Sequence, residues 1–204
     1  MTKHGGYLRL VMALEIKFQG GEMKRECFIV TNDSYFYLGM SKLISEFPET
    51  DISRISFNSL FKTSGCNNLA LFVVYLDDML SNFKALLFFE RMNNNVVFLS
   101  KNNNVMKLCS KFGYDSVKIK TFMGVYAMIR QESKSGDRMQ LLSNMEKNVI
   151  VNLLDGESNI KLAKRNRLSD KTISHHKRSA LLKVGVDNIN VFFDNISKDI
   201  FKVI

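Results

Sequence analysis

The chain has 204 residues, 46% hydrophobic and 24% charged, a composition typical of a protein with one or two folded domains. Its formal net charge of +9 favours acidic partners such as nucleic acid. No apolar run approaches the ~20 residues of a membrane-spanning helix, and Cys27, Cys66 and Cys109 lie too far apart for a zinc site or a disulfide framework. We therefore expect a cytoplasmic chain with reduced, buried thiols and no membrane partner.

Strand and helix signals alternate between residues 25 and 130. Short apolar runs predict strands, and apolar residues three or four apart predict amphipathic helices. Strands that alternate with helices form a parallel sheet with helices on both faces. We therefore predict an α/β domain with a five-stranded parallel sheet. The predicted strands are 27–31, 52–57, 69–76, 96–100 and 116–119, and the predicted helices are centred on 38–44 and 105–112.

Two segments flank this domain. The apolar residues between Leu8 and Phe18 alternate as in a strand. Residues 1–24 are therefore an extension that either adds a strand or precedes a native start at Met23. Residues 131–139 are polar and lack periodicity, which predicts a linker.

Residues 140–204 show helical periodicity only and predict an all-α domain of four helices. Serines mark three helix starts. Ser143 and Glu146 have the spacing of a capping box, and Ser158 and Ser169 are predicted N-caps. The second and third helices are short and separated by a tight turn, which predicts a helix-turn-helix.

The predicted helix-turn-helix is strongly basic. From Asn159 to Lys183 there are eight lysines and arginines against one acid, Asp170, a local net charge of +7. Such a cluster neutralises phosphates and gives salt-dependent affinity for double-stranded DNA. Charge alone is equally compatible with a solvated basic helix face.

Three stretches match a known pattern in register and without a gap: 156–163 (GESNIKLA), 168–176 (LSDKTISHH) and 183–186 (KVGV). Residues 142–188 thereby resemble the LuxR/FixJ family of DNA-binding domains. The family's usual residues are replaced at three positions, which bears on the target sequence more than on the fold. These positions are Met145, Asn166 and Ser174.

The resemblance implies that the helix after Ser169 enters the DNA major groove. It places Ile173 at the start of that helix and base contacts at Ser174, His175 and Arg178. The phosphate contacts that it implies are Asn159, Lys171, Thr172, Lys177 and Lys183. Neighbouring His175 and His176 point about 100° apart on a helix, so we predict no metal site there.

The last predicted helix begins after Asp187 and carries Phe192, Ile196 and Ile200 on one face. In the family that residues 142–188 resemble, this helix forms a dimer contact. The resemblance therefore implies a homodimer, or a heterodimer with another regulator of the same type.

The segment 29–44 resembles the start of a response-regulator receiver domain. Receivers hold magnesium with acidic residues at the end of the first strand, where this chain has Thr31 and Asn32, with Asp33 one place late. The phosphoacceptor position aligns with Tyr75. Because magnesium requires clustered carboxylate oxygens, the resemblance implies a pseudo-receiver that is not phosphorylated.

Two further positions, Ser100 and Lys120, match the receiver's hydroxyl and lysine. The whole pattern is similar to auxiliary LuxR-type regulators of enterobacteria that control capsule or fimbriae. Two alternatives stay open: a phosphorylation-controlled regulator using Asp33 with Asp77 or Asp78, and a co-regulator that acts mainly by heterodimerising. No phosphate loop, zinc spacing or nucleophile motif indicates an enzyme or a cofactor.

Overall fold

The computed structural model describes residues 25–45, 50–62, 70–92, 94–118 and 140–193. Its N-terminal part contains five strands in the order β2-β1-β3-β4-β5, and all neighbours are parallel. This doubly wound order is receiver-like and confirms the predicted sheet. Most strands begin one or two residues earlier than predicted. They are β1 (Arg25–Val30), β2 (Thr50–Ile55), β3 (Leu71–Tyr75), β4 (Asn95–Ser100) and β5 (Asp115–Lys118).

Helices cover both faces of the sheet. The first, α1 (Ser34–Ile44), packs Met40 and Ile44 onto one face. The short α2 (Phe57–Leu60), α3 (Met79–Phe89) and α4 (Asn103–Lys111) contribute to the core on the other face. All five residues of β3 are buried between these layers, which explains its uninterrupted apolar sequence.

Helix α3, like the one-turn α2, was not predicted from the sequence. It buries Phe83, Leu86 and Phe89 completely, and Met79, Asn82 and Ala85 also lie inside. A helix covered on more than one side lacks the polar face that reveals its period. The apolar run of α3 therefore gave no amphipathic signal.

Residues 140–193 of the C-terminal part form three α-helices and a 3-10 helix. Ser143 and Glu146 form the predicted capping box, and the side chains of Ser158 and Ser169 accept hydrogen bonds as N-caps. The helices are α5 (Asn144–Leu154), α6 (Asn159–Asn166), α7 (Asp170–Val184) and the 3-10 helix Ile189–Phe192. Ile196 and Ile200 of the predicted final helix lie outside the described residues, as does the predicted linker.

The two parts share one hydrophobic core. The ring centroids of Phe83 in α3 and Phe192 in the 3-10 helix are 4.9 Å apart, and both side chains are fully buried. Phe192, predicted to form a dimer face, is thus packed within the chain.

Ion pairs line the same junction between the two parts. Glu90, at the end of α3, accepts a hydrogen bond from the backbone of Leu141 at 3.0 Å, and its carboxylate lies 2.7 Å from Lys147 Nζ. Lys84 pairs with Asp155 at 2.6 Å. Among the described residues, no helix has the length and hydropathy of a transmembrane span.

Candidate nucleic-acid interface

The turn between α6 and α7 is set by backbone conformation. Arg167 ends α6 with φ 56° and ψ 41°, in the left-handed region. It is the only non-glycine residue with positive φ in the described part of the chain. The backbone N–H of Leu168 donates to the carbonyl of Ala163 at 2.9 Å, and Ser169 then begins α7. The turn from α6 to α7 is thus completed within three residues, 167–169.

A small core fixes α7 against α5 and α6. Ile173 is fully buried in a cluster with Val149, Leu162 and Ala163. The side chain of Ile173 therefore supports the helix from inside and offers no surface to DNA, which corrects its inclusion among the predicted contact residues.

Two of the departures from the family pattern take part in this packing. Met145 packs against the small core. Asn166 accepts a hydrogen bond from Asn148 Nδ2 at 3.2 Å and donates to the carbonyl of Leu162 at 2.8 Å. An amide pair thus satisfies a polar side chain at a position where leucine is usual.

The outer face of α7 carries the predicted DNA-reading side chains. Lys171, His175, Arg178 and Leu182 are exposed and follow one another at intervals of four, three and four residues, so they lie on one helix face. The side chain of Leu182 is 79% exposed. This face points away from the core around Ile173.

Other side chains that are predicted to contact DNA are partly buried or form hydrogen bonds within the chain. Ser174 Oγ accepts a hydrogen bond from Asn159 Nδ2 at 3.4 Å, and Thr172 shares a hydrogen bond with Ser169 at 2.8 Å. Lys177 is half-buried. Asn159, Thr172 and Ser174 thus lie close together where α6 meets the start of α7.

Lys183 holds α7 to α5. Its Nζ lies 2.7 Å from Glu146 Oε2, and Ser179 Oγ donates to Glu146 Oε1 at 2.7 Å. Burial raises the pKa of Glu146, but hydrogen bonds from Lys183, Ser179 and Ser143 outweigh burial and lower the pKa to about 2. The predicted phosphate contact from Lys183 therefore competes with a buried carboxylate.

Most residues of the basic cluster form no ion pair with any described residue. Glu157 pairs with Arg165 at 2.9 Å and with Lys161 at 3.8 Å, and Glu146 pairs with Lys183. Within the described part of the chain, the other five basic residues of α6, the turn and α7 make no ion pair. They are Lys164, Arg167, Lys171, Lys177 and Arg178.

The receiver-like positions at the end of β1 are used for local structure. Thr31 is buried, and its Oγ1 accepts from the backbone of Asp33 at 3.1 Å. Asp33 Oδ1 accepts from the backbone of Phe36 at 2.9 Å and thereby caps α1. Asn32 Oδ1 accepts from the backbone of Phe57 at 3.2 Å.

An aromatic stack fills the position aligned with the phosphoacceptor. Tyr75 is buried at the end of β3, and its ring lies 4.1 Å from that of Phe36, centroid to centroid. Lys101 Nζ lies 5.9 Å from the Tyr75 ring centroid, and a hydrogen bond with Tyr75 raises the pKa of Lys101. Ser100 Oγ accepts from the backbone of Asn102 at 3.0 Å. Lys120 lies outside the described residues.

Besides Lys101, a second basic residue that the sequence did not indicate lies near the carboxyl edge of the sheet. It is Arg54, at the end of β2. Its guanidinium donates to the carbonyl of Asn32 at 2.9 Å and to Ser34 Oγ at 3.0 Å. Asp78 caps α3 through Ser81 at 2.7 Å. Where the chain is described, no three or more His, Cys, Asp or Glu side chains form a group that could hold a metal.

Comparison with known proteins identifies the C-terminal part. Residues 140–194 match the family model described as bacterial regulatory proteins, luxR family. Residues 140–194, which fold as a helix-turn-helix, therefore match the luxR family of bacterial regulatory proteins, and they follow a receiver-like N-terminal fold. The matched family is one of regulators rather than enzymes. No curated protein matches the sequence.

One similar solved structure is that of two RcsB dimers bound to two parallel DNAs. It is 19% identical in sequence, the match covers 86% of this chain and 98% of that chain, and the TM-score is 0.42. RcsB of Salmonella typhimurium is 16% identical over 85% of this chain and 99% of its own, with a TM-score of 0.43. FixJ of B. japonicum is 14% identical over 83% and 94%, with a TM-score of 0.40. The helix-turn-helix assignment depends on the family match and on the geometry of α5 to α7.

Proposed function

We propose that the chain acts in the cytoplasm as a transcription regulator that inserts α7 into the major groove of double-stranded DNA. The observation that carries this proposal is the outer face of α7. Lys171, His175 and Arg178 are exposed on a helix whose inner side is anchored by fully buried Ile173. A rigid helix with free donors on one side is the geometry that reads base edges.

We assign direct base contacts to His175 and Arg178, with Ser174 reaching the groove from the half-buried side of α7. Phosphate contacts come from Lys171, Thr172, Lys177, Asn159 and, in competition with Glu146, Lys183. The unpaired cations Lys164 and Arg167 extend the positive surface toward the DNA backbone. Electrostatic attraction from such cations is independent of sequence and falls steeply with salt.

We propose that residues 25–130 are a pseudo-receiver, joined by a linker at 131–139 to the DNA-binding domain at 140–204, with residues 1–24 as an extension. Three features of the sheet edge support this proposal. Tyr75 fills the acceptor position, Asp33 and Asp78 serve as helix caps, and Arg54 and Lys101 bring positive charge to the edge. In this proposal the pseudo-receiver is not phosphorylated and serves dimerisation, either as a homodimer or as a heterodimer with another regulator.

The DNA assignment is tested with Arg178→Ala in the full-length chain. Sites are first mapped across the source genome, and affinity is then measured by gel shift on a mapped site and on unrelated DNA. An arginine that reads guanine contributes about 1–3 kcal/mol of discrimination. We therefore expect roughly a tenfold or greater loss on the mapped site and a much smaller loss on unrelated DNA.

The matched control is Lys42→Ala, which removes an exposed basic side chain from α1, far from α7 in the sequence and in a different layer of the fold. Its affinity for both DNAs should equal that of the unaltered chain. Equal affinities of the Arg178→Ala and Lys42→Ala variants for the mapped site would refute the assignment of α7 as the reading helix.

A further inference from the structure

A cleft separates the receiver-like part from the helix-turn-helix part beside their shared core. Its volume is about 600 Å³, within the 300–1,000 Å³ range of small-molecule sites, which favour domain junctions. One wall is formed by α3 with Phe61, which follows α2, and the other by α5. A molecule in this cleft would contact both parts of the chain.

Ion pairs join the two sides of the cleft at two points. Lys84, in the middle of α3, pairs with Asp155, just after α5, whereas Glu90, just after α3, pairs with Lys147, early in α5. The two helices are thus antiparallel here. The two pairs are six residue steps apart along α3 and eight along α5, or about 9 to 12 Å at 1.5 Å per residue. This length suits a molecule with one or two rings.

The floor of the cleft is aromatic and aliphatic. The Phe61 and Phe88 rings meet edge to face with centroids 5.5 Å apart, and Leu87 and Val151 lie beside them in the lining. Phe61 is 47% exposed. An exposed phenylalanine in a concave surface favours a flat, apolar ligand, because covering it removes apolar area from water.

The charges of the lining select the ligand further. Lys84 is neutralised by Asp155 and Lys147 by Glu90. Arg91 also lines the cleft, and its guanidinium has no ion pair or hydrogen bond within the described residues. Arg91 follows Phe88 by three residues, and both line the same cleft. A guanidinium that has no partner among the described residues, in the same lining as two phenylalanine rings, is complementary to a single carboxylate on a ring.

The α5 wall supplies fixed amides. Asn152 Nδ2 donates to the carbonyl and to Oδ1 of Asn148, both at 2.6 Å, and Asn148 donates in turn to Asn166. These amides are held in place before any ligand arrives. A preformed polar wall opposite an apolar floor is typical of a small-molecule site.

We propose that this cleft binds a small aromatic monoanion, with its ring on Phe61 and Phe88 and its carboxylate on Arg91. The bound molecule bridges the receiver-like part and α5. Such a ligand holds the two parts in the arrangement described here. The proposal is independent of the DNA assignment, since no DNA enters its test.

The test measures binding of cinnamate and of its neutral analogue cinnamamide to the full-length chain by calorimetry. We expect saturable binding of cinnamate, and Arg91→Gln should weaken it about fivefold, the effect of one partly exposed ion pair. Cinnamamide should bind the unaltered chain and the Arg91→Gln variant equally. Lys42→Gln, an exposed lysine on α1, serves as the matched charge control and should leave both affinities unchanged.

A second measurement requires no variant. In methyl-labelled protein, cinnamate should shift the NMR signals of Leu87 and Val151 and leave those of Leu38, exposed on α1, unchanged. The proposal is overturned if cinnamate does not saturate the chain at millimolar concentrations, as when another segment of the chain fills the cleft. It is equally overturned if Arg91→Gln binds cinnamate like the Lys42→Gln variant, or if the Leu87 and Val151 signals do not move.

Discussion

The carboxyl edge of the sheet and the outer face of α7 are both polar regions of this chain, but their side chains are used differently. At the sheet edge, Asp33 caps α1 and Tyr75 stacks on Phe36. On α7, Lys171 and Arg178 make no ion pair among the described residues, while Ile173 anchors the helix from below. A region whose polar groups are already satisfied serves the fold, whereas one with free groups on a fixed support is available to a partner.

The largest expected effect is on stability, and it concerns the buried side of α7 rather than its exposed face. Ile173→Ala removes a fully buried side chain from the core of α5, α6 and α7 and should lower the free energy of unfolding by about 2–5 kcal/mol. Urea denaturation followed by circular dichroism measures this change. Leu182→Ala on the exposed face should stay within about 0.5 kcal/mol. If both variants lowered the free energy of unfolding by similar amounts, the distinction between a buried and an exposed side of α7 would be wrong.

The next effect depends on pH through Glu146. Its pKa in the folded chain is about 2, against an ordinary value of 4.5. A lowered pKa stabilises the fold above the ordinary value, and this contribution is lost as the pH falls from about 5 toward 2. Glu146→Gln should cost roughly 1.5–3 kcal/mol at neutral pH and give a flatter stability profile in acid. If the stability of the unaltered chain and that of the Glu146→Gln variant changed with pH in the same way, the stabilising role of the ionised Glu146 carboxylate would be contradicted.

The next prediction tests whether Asp33, at the edge of the sheet, serves as a helix cap rather than as a magnesium ligand. Asp33→Ala should cost about 1 kcal/mol, the effect of losing an N-cap, whereas Asp33→Ser should retain most of the stability because serine also caps helices. Neither magnesium nor acetyl phosphate should raise the melting temperature or add a phosphoryl group by mass spectrometry. A phosphoryl adduct on the unaltered chain that Asp33→Ser abolishes would restore the alternative of a phosphorylation-controlled regulator.

The smallest effect lies in the turn of the helix-turn-helix. Left-handed backbone costs a non-glycine residue roughly 1–2 kcal/mol, and the flexibility of glycine in the unfolded chain offsets about 0.5–1 kcal/mol. Arg167→Gly should therefore stabilise the chain by about 0.5 kcal/mol while reducing the salt dependence of DNA binding. Arg167→Lys, which keeps charge and strain, should change neither. A stability loss in the glycine variant would show that the Arg167 side chain makes a larger contribution than its backbone strain costs.

Much of the fold could be predicted because its signals are local. Serine caps placed α5, α6 and α7, and apolar runs placed the strands, since each depends on residues that are close in the sequence. Helix α3 escaped prediction because Phe83 and Phe89 are buried on a helix with little polar face. The ion pair of Glu90 with Lys147 joins residues 57 positions apart, and no sequence period reveals such a contact.

The candidate interface shows the same division. The spacing of serines and basic residues predicted a DNA-reading helix, and Lys171, His175 and Arg178 are exposed on that helix. The burial of Ile173 and the engagement of Lys183 by Glu146 could not be read from the sequence. Both depend on how α7 is rotated against α5, which tertiary packing decides.

The contact of Phe83 with Phe192 has a consequence for how the chain denatures. Because each of these rings completes the interior of the other part, neither part keeps its full complement of buried apolar surface when its neighbour melts. Heat absorption should therefore concentrate in one cooperative transition, and a chain cut between the two parts would yield fragments with exposed phenylalanines that tend to associate.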